Sequence, residues 1–214
     1  MARCIPETKD QNKKTPVSDK EGKKVVLNNC PCITFEDLQT LIAAHNTEMP
    51  CPTAFMTKEE YTPPYSVPDE LLMAIISLEA PCEGSRFIGK DGKRSDIEFD
   101  PCALNRSSQA VGLTQIIKLT MQDLIKQRVV TGKTTDAEHK KICGNPELAI
   151  QYGSWNIQLK YIYKRKIKDQ EERLEAALDS AGTGSPYGKK RIAEMKKLKK
   201  SYTKETLLEI IRAR

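Results

Sequence analysis

The chain has 214 residues, of which 38% are hydrophobic and 30% are charged, and it carries a net charge of +6. This composition supports one substantial core, and no apolar run approaches the length of a membrane span. The modest basic excess suits an acidic polymer, either nucleic acid or a bacterial cell wall, and does not choose between them.

The first 65 residues contain little apolar sequence and many breaks. Residues 1–24 are polar and rich in lysine, which predicts a disordered or loosely attached arm. Residues 25–65 are predicted to form a small N-terminal extension, in which residues 25–29 form a short strand or plug. Its one short helix begins at Thr34-Phe-Glu-Asp37, which resembles a capping box, and ends at about His45.

The seven cysteines allow more than one arrangement. Cys82 and Cys102 bracket a polar loop rich in glycine and charge, and we predict a disulfide between them. Two alternatives stay open, namely that all thiols are reduced or that some bind zinc. The zinc ligands would be Cys30, Cys32, His45 and Cys51. Their C-x-C start lacks the longer gap that is usual in zinc sites, so His45 is expected at a helix end rather than on a metal.

The cysteines and the N-terminus point to different compartments. Met1 to Asp10 contain no apolar segment of the kind found in a secretory signal. Disulfides, in contrast, are typical of proteins that work in an oxidising place. A protein made in the cytosol and delivered by a dedicated route to an oxidising place would reconcile the two.

A short apolar helix that ends in a glutamate is predicted at residues 68–79. Leu71, Ile75 and Glu79 are spaced by four residues and therefore share one helix face. Val67 or Ser66 is expected to cap this helix, and Pro81 stops it.

Glu79 therefore leaves the C-terminal end of a buried helix. Desolvation and the negative end of the helix dipole should both raise its pKa, as a general acid requires. The alternative for this stretch alone is an ordinary solvated glutamate at a helix end.

The following stretch is predicted to be a long loop over residues 82–107, which is usual for a functional or disordered segment. Its carboxylates are candidates for a second acidic group in a site, and they are Asp91, Asp96, Glu98 and Asp100. A helix is predicted next, running to about Val129.

The C-terminal half is predicted to be helical. Asn145 caps a helix with Pro146 in its first turn, and an apolar stripe follows at Leu148, Tyr152, Trp155, Leu159 and Ile162. A shorter helix runs from Glu171 to Ala181 and ends at glycines. Strand signals are scarce, so the predicted class is mainly α, with a long loop and little or no sheet.

The last segment, residues 187–214, is strongly basic and contains a possible cap at Thr203. A basic helix is usually a solvated outer face. Contact with an acidic polymer or with an anionic membrane surface is the alternative that the charge allows.

Three short motifs follow each other in a recognisable order. They are Ala74-Ile-Ile-Ser-Leu-Glu79, Ser108-Gln-Ala-Val-Gly-Leu-Thr-Gln115 and Ala177-Leu-Asp-Ser-Ala-Gly-Thr-Gly184. Together they resemble the A-I-I-x-x-E-S, S-x-A-x-G-L-x-Q and A-A-Y-N-A-G-x-G motifs of the soluble lytic transglycosylase and goose-type lysozyme group. A fourth stretch, Asn145 to Gly153, is similar to the segment before that family's long inner helix. The resemblance covers about residues 66–185.

The resemblance implies a fold, an activity and a set of site residues. Residues 66–214 would form a lysozyme-like catalytic domain that ends in basic helices. Glu79 would be the catalytic acid and base that cleaves the glycan strand of peptidoglycan. The substrate-binding residues would be Ser108, Gly112, Leu113, Gln115, Tyr152 and Asp179. No cofactor and no metal are expected.

The chain departs from the family pattern at two places. Ala80 follows Glu79 where the family usually has serine, and Asp179 and Ser180 stand where it has tyrosine and asparagine. That family tyrosine is thought to touch the catalytic glutamate. Asp179 could instead raise the pKa of Glu79 by like-charge repulsion, or serve as the second carboxylate of a hydrolase.

Three hypotheses follow. The first is a lytic transglycosylase giving 1,6-anhydro products, with a lysozyme-type muramidase as its closest alternative. The second is a wall-binding module that has lost the chemistry. The third, a nucleic-acid binder, has only the net charge in its favour, so no nucleic acid is expected. The expected partners are glycan strands, with an immunity or inhibitor protein or delivery machinery as further classes. The expected place of action is a bacterial periplasm or cell wall, reached through phage lysis or a dedicated secretion route.

Overall fold

The protein is mainly α-helical. Its structure is a computed structural model that describes residues 15–18, 24–27, 30–48, 51–52, 66–82, 97–132, 134–182 and 184–213. Within these ranges there are eight helices and three small antiparallel sheets of two strands each. The predicted fold class of mainly α with little sheet is therefore confirmed.

The three sheets are short ladders that join neighbouring segments. They pair β1 (Thr15–Ser18) with β2 (Lys24–Leu27), β3 (Ile33–Thr34) with β4 (Glu98–Phe99), and β5 (Leu104–Asn105) with β6 (Ala110–Val111). The strand predicted at residues 25–29 is found at Lys24–Leu27, as β2. Strand β1 and Lys24 lie within the predicted N-terminal arm, whose other residues fall outside the described ranges.

The helices follow the predicted order with one addition. They are α1 (Phe35–Glu48), α2 (Asp69–Glu79), α3 (Lys118–Lys126), α4 (Thr135–Ile142), α5 (Pro146–Tyr163), α6 (Gln170–Ala181), α7 (Tyr187–Lys200) and α8 (Lys204–Arg212). Helix α4 was not predicted. The sequence does contain a local signal for this helix. Thr134 caps it by accepting a hydrogen bond from the Ala137 amide.

Side-chain caps begin several helices where the sequence predicts them. The Thr34 hydroxyl accepts a hydrogen bond from the Asp37 amide and donates one to its carboxylate. The Asn145 side chain accepts one from the Leu148 amide, with Pro146 in the first turn. Helix α2 is the exception, because its cap is Pro68 rather than Val67 or Ser66.

Helix α2 lies at the centre of the core. Every residue from Leu71 to Ser77 is buried, so the helix is covered on all sides. It packs against α1, α7 and α8. Helix α5 is the second central element, and it packs against α1, α3, α4 and α6. Helix α1, predicted as part of a separate extension, shares this core through Phe35 and Leu38.

Two disulfides join the N-terminal segment to the rest of the chain. Cys30 is bonded to Cys102, and Cys32 is bonded to Cys82. The predicted Cys82–Cys102 bond is therefore wrong, although both residues are in disulfides. The sequence did not place residues 30–34 beside this loop, whereas the β3–β4 ladder does. The predicted alternative of a zinc site is wrong, because the sulfurs of Cys30 and Cys32 are both in disulfides.

The basic helix α7 is amphipathic. Its lysines at 189, 190, 196, 197, 199 and 200 are exposed, whereas Arg191 is buried. No helix in the described ranges is long and apolar enough to cross a membrane.

The buried side chain of His45 predicts an effect of pH on stability. Burial lowers the pKa of His45 below its ordinary value, and the Asp69 carboxylate opposes this only in part. His45 therefore binds a proton more readily in the unfolded chain than in the folded chain. The free energy of unfolding should then fall as the pH drops through 6.5. Urea denaturation at several pH values measures this. His45→Gln should flatten the dependence, and an unchanged slope in that variant would contradict the assignment.

Candidate functional site

An open cleft lies among the described residues where the three predicted motifs meet. Its volume is about 300 Å³. Its walls are formed by the C-terminal half of α2, the β5–β6 hairpin, residues 114–117, the middle of α5, the end of α6 and Tyr187. The walls are largely apolar, and a few polar groups face the cleft, as is usual for a ligand site.

Glu79 stands at the end of the buried helix and lines this cleft. Helix α2 stops there because Ala80 leaves the helical conformation while its amide still bonds to the Ile76 carbonyl. Pro81 then continues in a bridge to Phe99 of β4. In the described part of the chain, Glu79 is the one carboxylate among the lining residues.

A tyrosine from α7 contacts this carboxylate. The Tyr187 hydroxyl donates a hydrogen bond of 3.1 Å to Oε1 of Glu79. Burial, and then the charge of Glu79, raise the pKa of Tyr187 well above its ordinary value. The phenol therefore stays protonated, and it remains a donor that orients the carboxyl group.

A buried arginine joins α7 to α2. Arg191 lies one turn after Tyr187, and its guanidinium donates to the Ala74 carbonyl at 3.2 Å. The same guanidinium forms a 2.7 Å ion pair with Glu194 within α7 and lies 5.4 Å from the centre of the Tyr187 ring. Because a shift of α7 along α2 would break the buried hydrogen bond from Arg191 to Ala74, this contact resists such a shift.

Gly182 lets the end of α6 approach the tyrosine ring. A Cβ atom at this position would lie 2.6 Å from Cδ1 of Tyr187. Any larger residue would therefore push the ring away from Glu79. This gives Gly182 of the third motif a packing role that the sequence alone did not identify.

Asp179 is used as a helix cap. Its Oδ1 accepts a hydrogen bond of 2.6 Å from the amide of Gly188 in the first turn of α7. Asp179 does not line the cleft. The structure thus places this predicted site residue behind Tyr187, where it holds the start of the helix that carries the tyrosine.

The β5–β6 hairpin brings Ser108 to the cleft. The loop is organised by Asn105, whose Oδ1 accepts hydrogen bonds from the amides of Ser107 and Ser108. Both Asn105 and Ser108 line the cleft, and Ser108 is exposed. Its predicted place at the site therefore agrees with the geometry.

Gln115 also lines the cleft, in a conformation held by the backbone. Its φ of 49° is in the left-handed region, and its Nε2 donates to the carbonyls of Ala103 and Gly112. These two bonds use both hydrogens of the amide. The side-chain oxygen is then the atom through which Gln115 would meet a ligand.

Besides Asp179, three predicted substrate-binding residues do not line the cleft. Leu113 is fully buried, and Gly112 packs so closely that a Cβ would lie 2.6 Å from the side chain of Ile142. Tyr152 is buried beside Glu138, which together with burial raises the pKa of Tyr152 to about 12. The structure gives these residues packing roles in the wall behind the site.

The rival loop carboxylates divide into two groups. Asp91 and Asp96 lie outside the described residues. Glu98 is in β4, and Asp100 accepts a hydrogen bond from the Cys102 amide. Neither Glu98 nor Asp100 lines the cleft.

Two site residues were missed from the sequence. Tyr187 lies eight residues after the motif position where a tyrosine was expected, so only the fold could bring it to Glu79. Asn156 lines the cleft from the middle of α5 and is 5% exposed. Its Oδ1 has no hydrogen-bond partner among the described residues. The signal available in the sequence was that Asn156 is a polar residue within the apolar stripe of α5.

Comparisons with known proteins do not assign the chain to a family. No protein-family model matches it, and neither a curated protein nor a solved structure shows significant similarity to it.

Replacing the Tyr187 hydroxyl tests this description of the site. Tyr187→Phe should lower the cell-wall cleavage that the family resemblance implies for this site about ten- to a hundredfold, because a hydrogen bond to a charged group contributes about 1.5–3 kcal/mol. Tyr152→Phe is the matched control, since it also removes a phenol beside a glutamate, outside the cleft. Clearance of a purified cell-wall suspension measures both. Equal losses in the two variants would contradict the assignment.

Proposed function

We propose that the protein cleaves the β-1,4 glycan strand of peptidoglycan between N-acetylmuramic acid and N-acetylglucosamine, with Glu79 as general acid and base. We assign it to the lysozyme-like superfamily and to the lytic transglycosylase chemistry, which leaves 1,6-anhydro products. The observation that carries the proposal is the position of Glu79. Its carboxyl ends a buried helix in an open cleft and is held by a tyrosine.

The reaction needs one group that first gives and then takes a proton. Glu79 protonates the glycosidic oxygen, and the bond from that oxygen to C1 of the muramic sugar breaks through an oxocarbenium-like transition state. The resulting carboxylate then removes the proton of the C6 hydroxyl of the same sugar. The O6 atom forms a bond to C1, which closes the 1,6-anhydro ring without water.

The carboxylates of the cleft favour this version over a hydrolase. A lysozyme uses a second carboxylate that acts on water or on the sugar. The best candidate from the sequence, Asp179, is bonded to the Gly188 amide instead. Glu79 is the only carboxylate lining the cleft within the described ranges, which supports attack by the sugar's own hydroxyl.

The remaining polar groups of the cleft suit an N-acetylated sugar. The oxygen of Asn156 has no partner among the described residues, and the oxygen of Gln115 is the free end of an anchored amide. Both are acceptors for the N–H of an acetamido group or for a hydroxyl. Apolar side chains such as Ile75 and Ile157 line the same walls and can pack against sugar faces and acetyl methyl groups.

The non-catalytic alternative is a wall-binding module on the same fold. Its support from the sequence was the missing tyrosine of the third motif. Tyr187 supplies a contact of the same kind from another position, which removes the main argument for a lost site. The two disulfides, in turn, support work in an oxidising place such as a periplasm or cell wall.

A pair of carboxyl-to-amide changes tests the proposal. Glu79→Gln should lower the rate of wall clearance by at least about a hundredfold, because the amide cannot donate or accept the proton. Asp179→Asn should lower it by less than about tenfold, because asparagine keeps an oxygen that can accept the Gly188 hydrogen bond.

The controls separate binding from chemistry. Both variants should still sediment with insoluble cell walls and should unfold at urea concentrations near that of the wild type. A wild type that binds walls without releasing soluble fragments would favour the binding module. Full activity in Glu79→Gln with loss in Asp179→Asn would place the chemistry on the other carboxylate.

A further inference from the structure

Three sulfur atoms lie together beside the cleft hairpin. The Sγ atoms of Cys30, Cys102 and Cys143 all lie within 4.8 Å of one another. Cys30 and Cys102 form a disulfide, whereas Cys143 is a free thiol. The Cys143 sulfur is 3.1 Å from the Cys102 sulfur. A thiol is thus held in contact with one end of a disulfide.

The backbone fixes this contact. Cys143 ends helix α4, and the following Gly144 has a φ of +77°. A Cβ at Gly144 would lie 3.4 Å from the sulfurs of both Cys30 and Cys102. The Gly144 amide donates to the Pro101 carbonyl, which ties the Cys143 turn to the Cys102 turn. The sulfurs of Cys102 and Cys143 are therefore in contact because the backbone turns that carry them are joined by a hydrogen bond.

We propose that this cluster is a thiol–disulfide exchange site in which Cys30 and Cys143 compete for Cys102. The Cys143 thiol loses its proton, and the thiolate attacks the Cys102 sulfur. The Cys102–Cys143 bond forms, and the Cys30–Cys102 bond breaks. The electron pair of the broken bond leaves on the Cys30 sulfur, which takes up a proton. The step is an isomerisation, so it needs no external oxidant or reductant.

The exchange changes which segment anchors the cleft hairpin. Cys102 lies two residues before β5, whose hairpin carries Asn105 and Ser108 into the cleft. In the structure its anchor is the N-terminal segment at Cys30. After exchange the anchor is the end of α4, and Cys30 becomes a free thiol. The Cys32–Cys82 bond still holds the N-terminal segment. The exchange is independent of the reaction proposed for the cleft.

The surroundings of Cys143 set the pH dependence of the exchange. Burial raises the pKa of the Cys143 thiol above its ordinary value, and the Asp100 carboxylate raises it further. Asp100 is the charged group acting on this thiol in the described part of the chain. The attacking species is the thiolate, whose fraction falls tenfold for each pH unit below the pKa. The exchange is therefore slow near neutral pH and accelerates in alkaline solution.

Peptide mapping under non-reducing conditions tests the exchange in the full chain. Native protein is incubated without added thiol at about pH 6 and about pH 9, then quenched in acid and digested. We expect a Cys102–Cys143 peptide to form at the higher pH, at a rate independent of protein concentration. At the lower pH it should form at least about a hundredfold more slowly. Finding only the Cys30–Cys102 bond at both pH values would overturn the proposal.

Three serine variants identify the attacking sulfur. Cys143→Ser should keep the Cys30–Cys102 bond at every pH, and Cys30→Ser should isolate with the Cys102–Cys143 bond from an oxidising compartment. Cys51→Ser is the matched control, because it removes the other free thiol among the described residues and should exchange like the wild type. Loss of exchange in Cys51→Ser, or a new bond from Cys4 or Cys51 to Cys102, would contradict the proposal. If Cys30→Ser fails to fold, Cys143→Ser and the wild-type pH series decide alone.

Discussion

The structure depends on a helix that is apolar on every side and ends in a carboxylate. Each large apolar side chain of α2 contributes about 1.5–3 kcal/mol when it leaves water, so the helix is held firmly in the core. Glu79 has to emerge where that burial stops. The end of α2 therefore defines where the cleft can lie, and α5, α6 and α7 form walls around it. A position fixed by core packing is well suited to a group that transfers protons.

Polar contacts between α7 and α2 then orient the carboxyl group. The bonds of Tyr187 to Glu79 and of Arg191 to Ala74 are spaced by one turn on α7. Asp179 caps the start of α7, so it acts on the site through Tyr187 rather than on a ligand. The third motif is thus a support for the tyrosine, although its own residues differ from the family pattern. In the proposed mechanism, Tyr187 takes the place of the tyrosine that this motif lacks.

Local sequence signals predicted the helices and their caps. They could not predict contacts between residues that are distant in the sequence. The caps at Thr34, Asn145 and Thr203, and the helix ending at Glu79, follow from neighbouring residues and were predicted well. The disulfide pairing was wrong because it depends on residues 30–34 lying beside β4. Likewise, Tyr187 contacts Glu79 although the two residues are 108 positions apart in the sequence, and no periodic pattern of residues predicts such a contact. The family resemblance assigned Gly112 and Leu113 to the site, whereas the structure packs both behind it, because residues in a motif serve packing as well as binding.

The central claim is that one carboxylate performs both proton transfers, and the chemistry of the product tests it most directly. Purified peptidoglycan is digested with the protein, and the soluble fragments are weighed by mass spectrometry. We predict muramic acid ends in the 1,6-anhydro form, because the sugar's own C6 hydroxyl attacks C1. Fragments with reducing ends, each heavier by one water, would contradict the account, since they require a group that activates water. Intact glycan strands after prolonged digestion would contradict it as well.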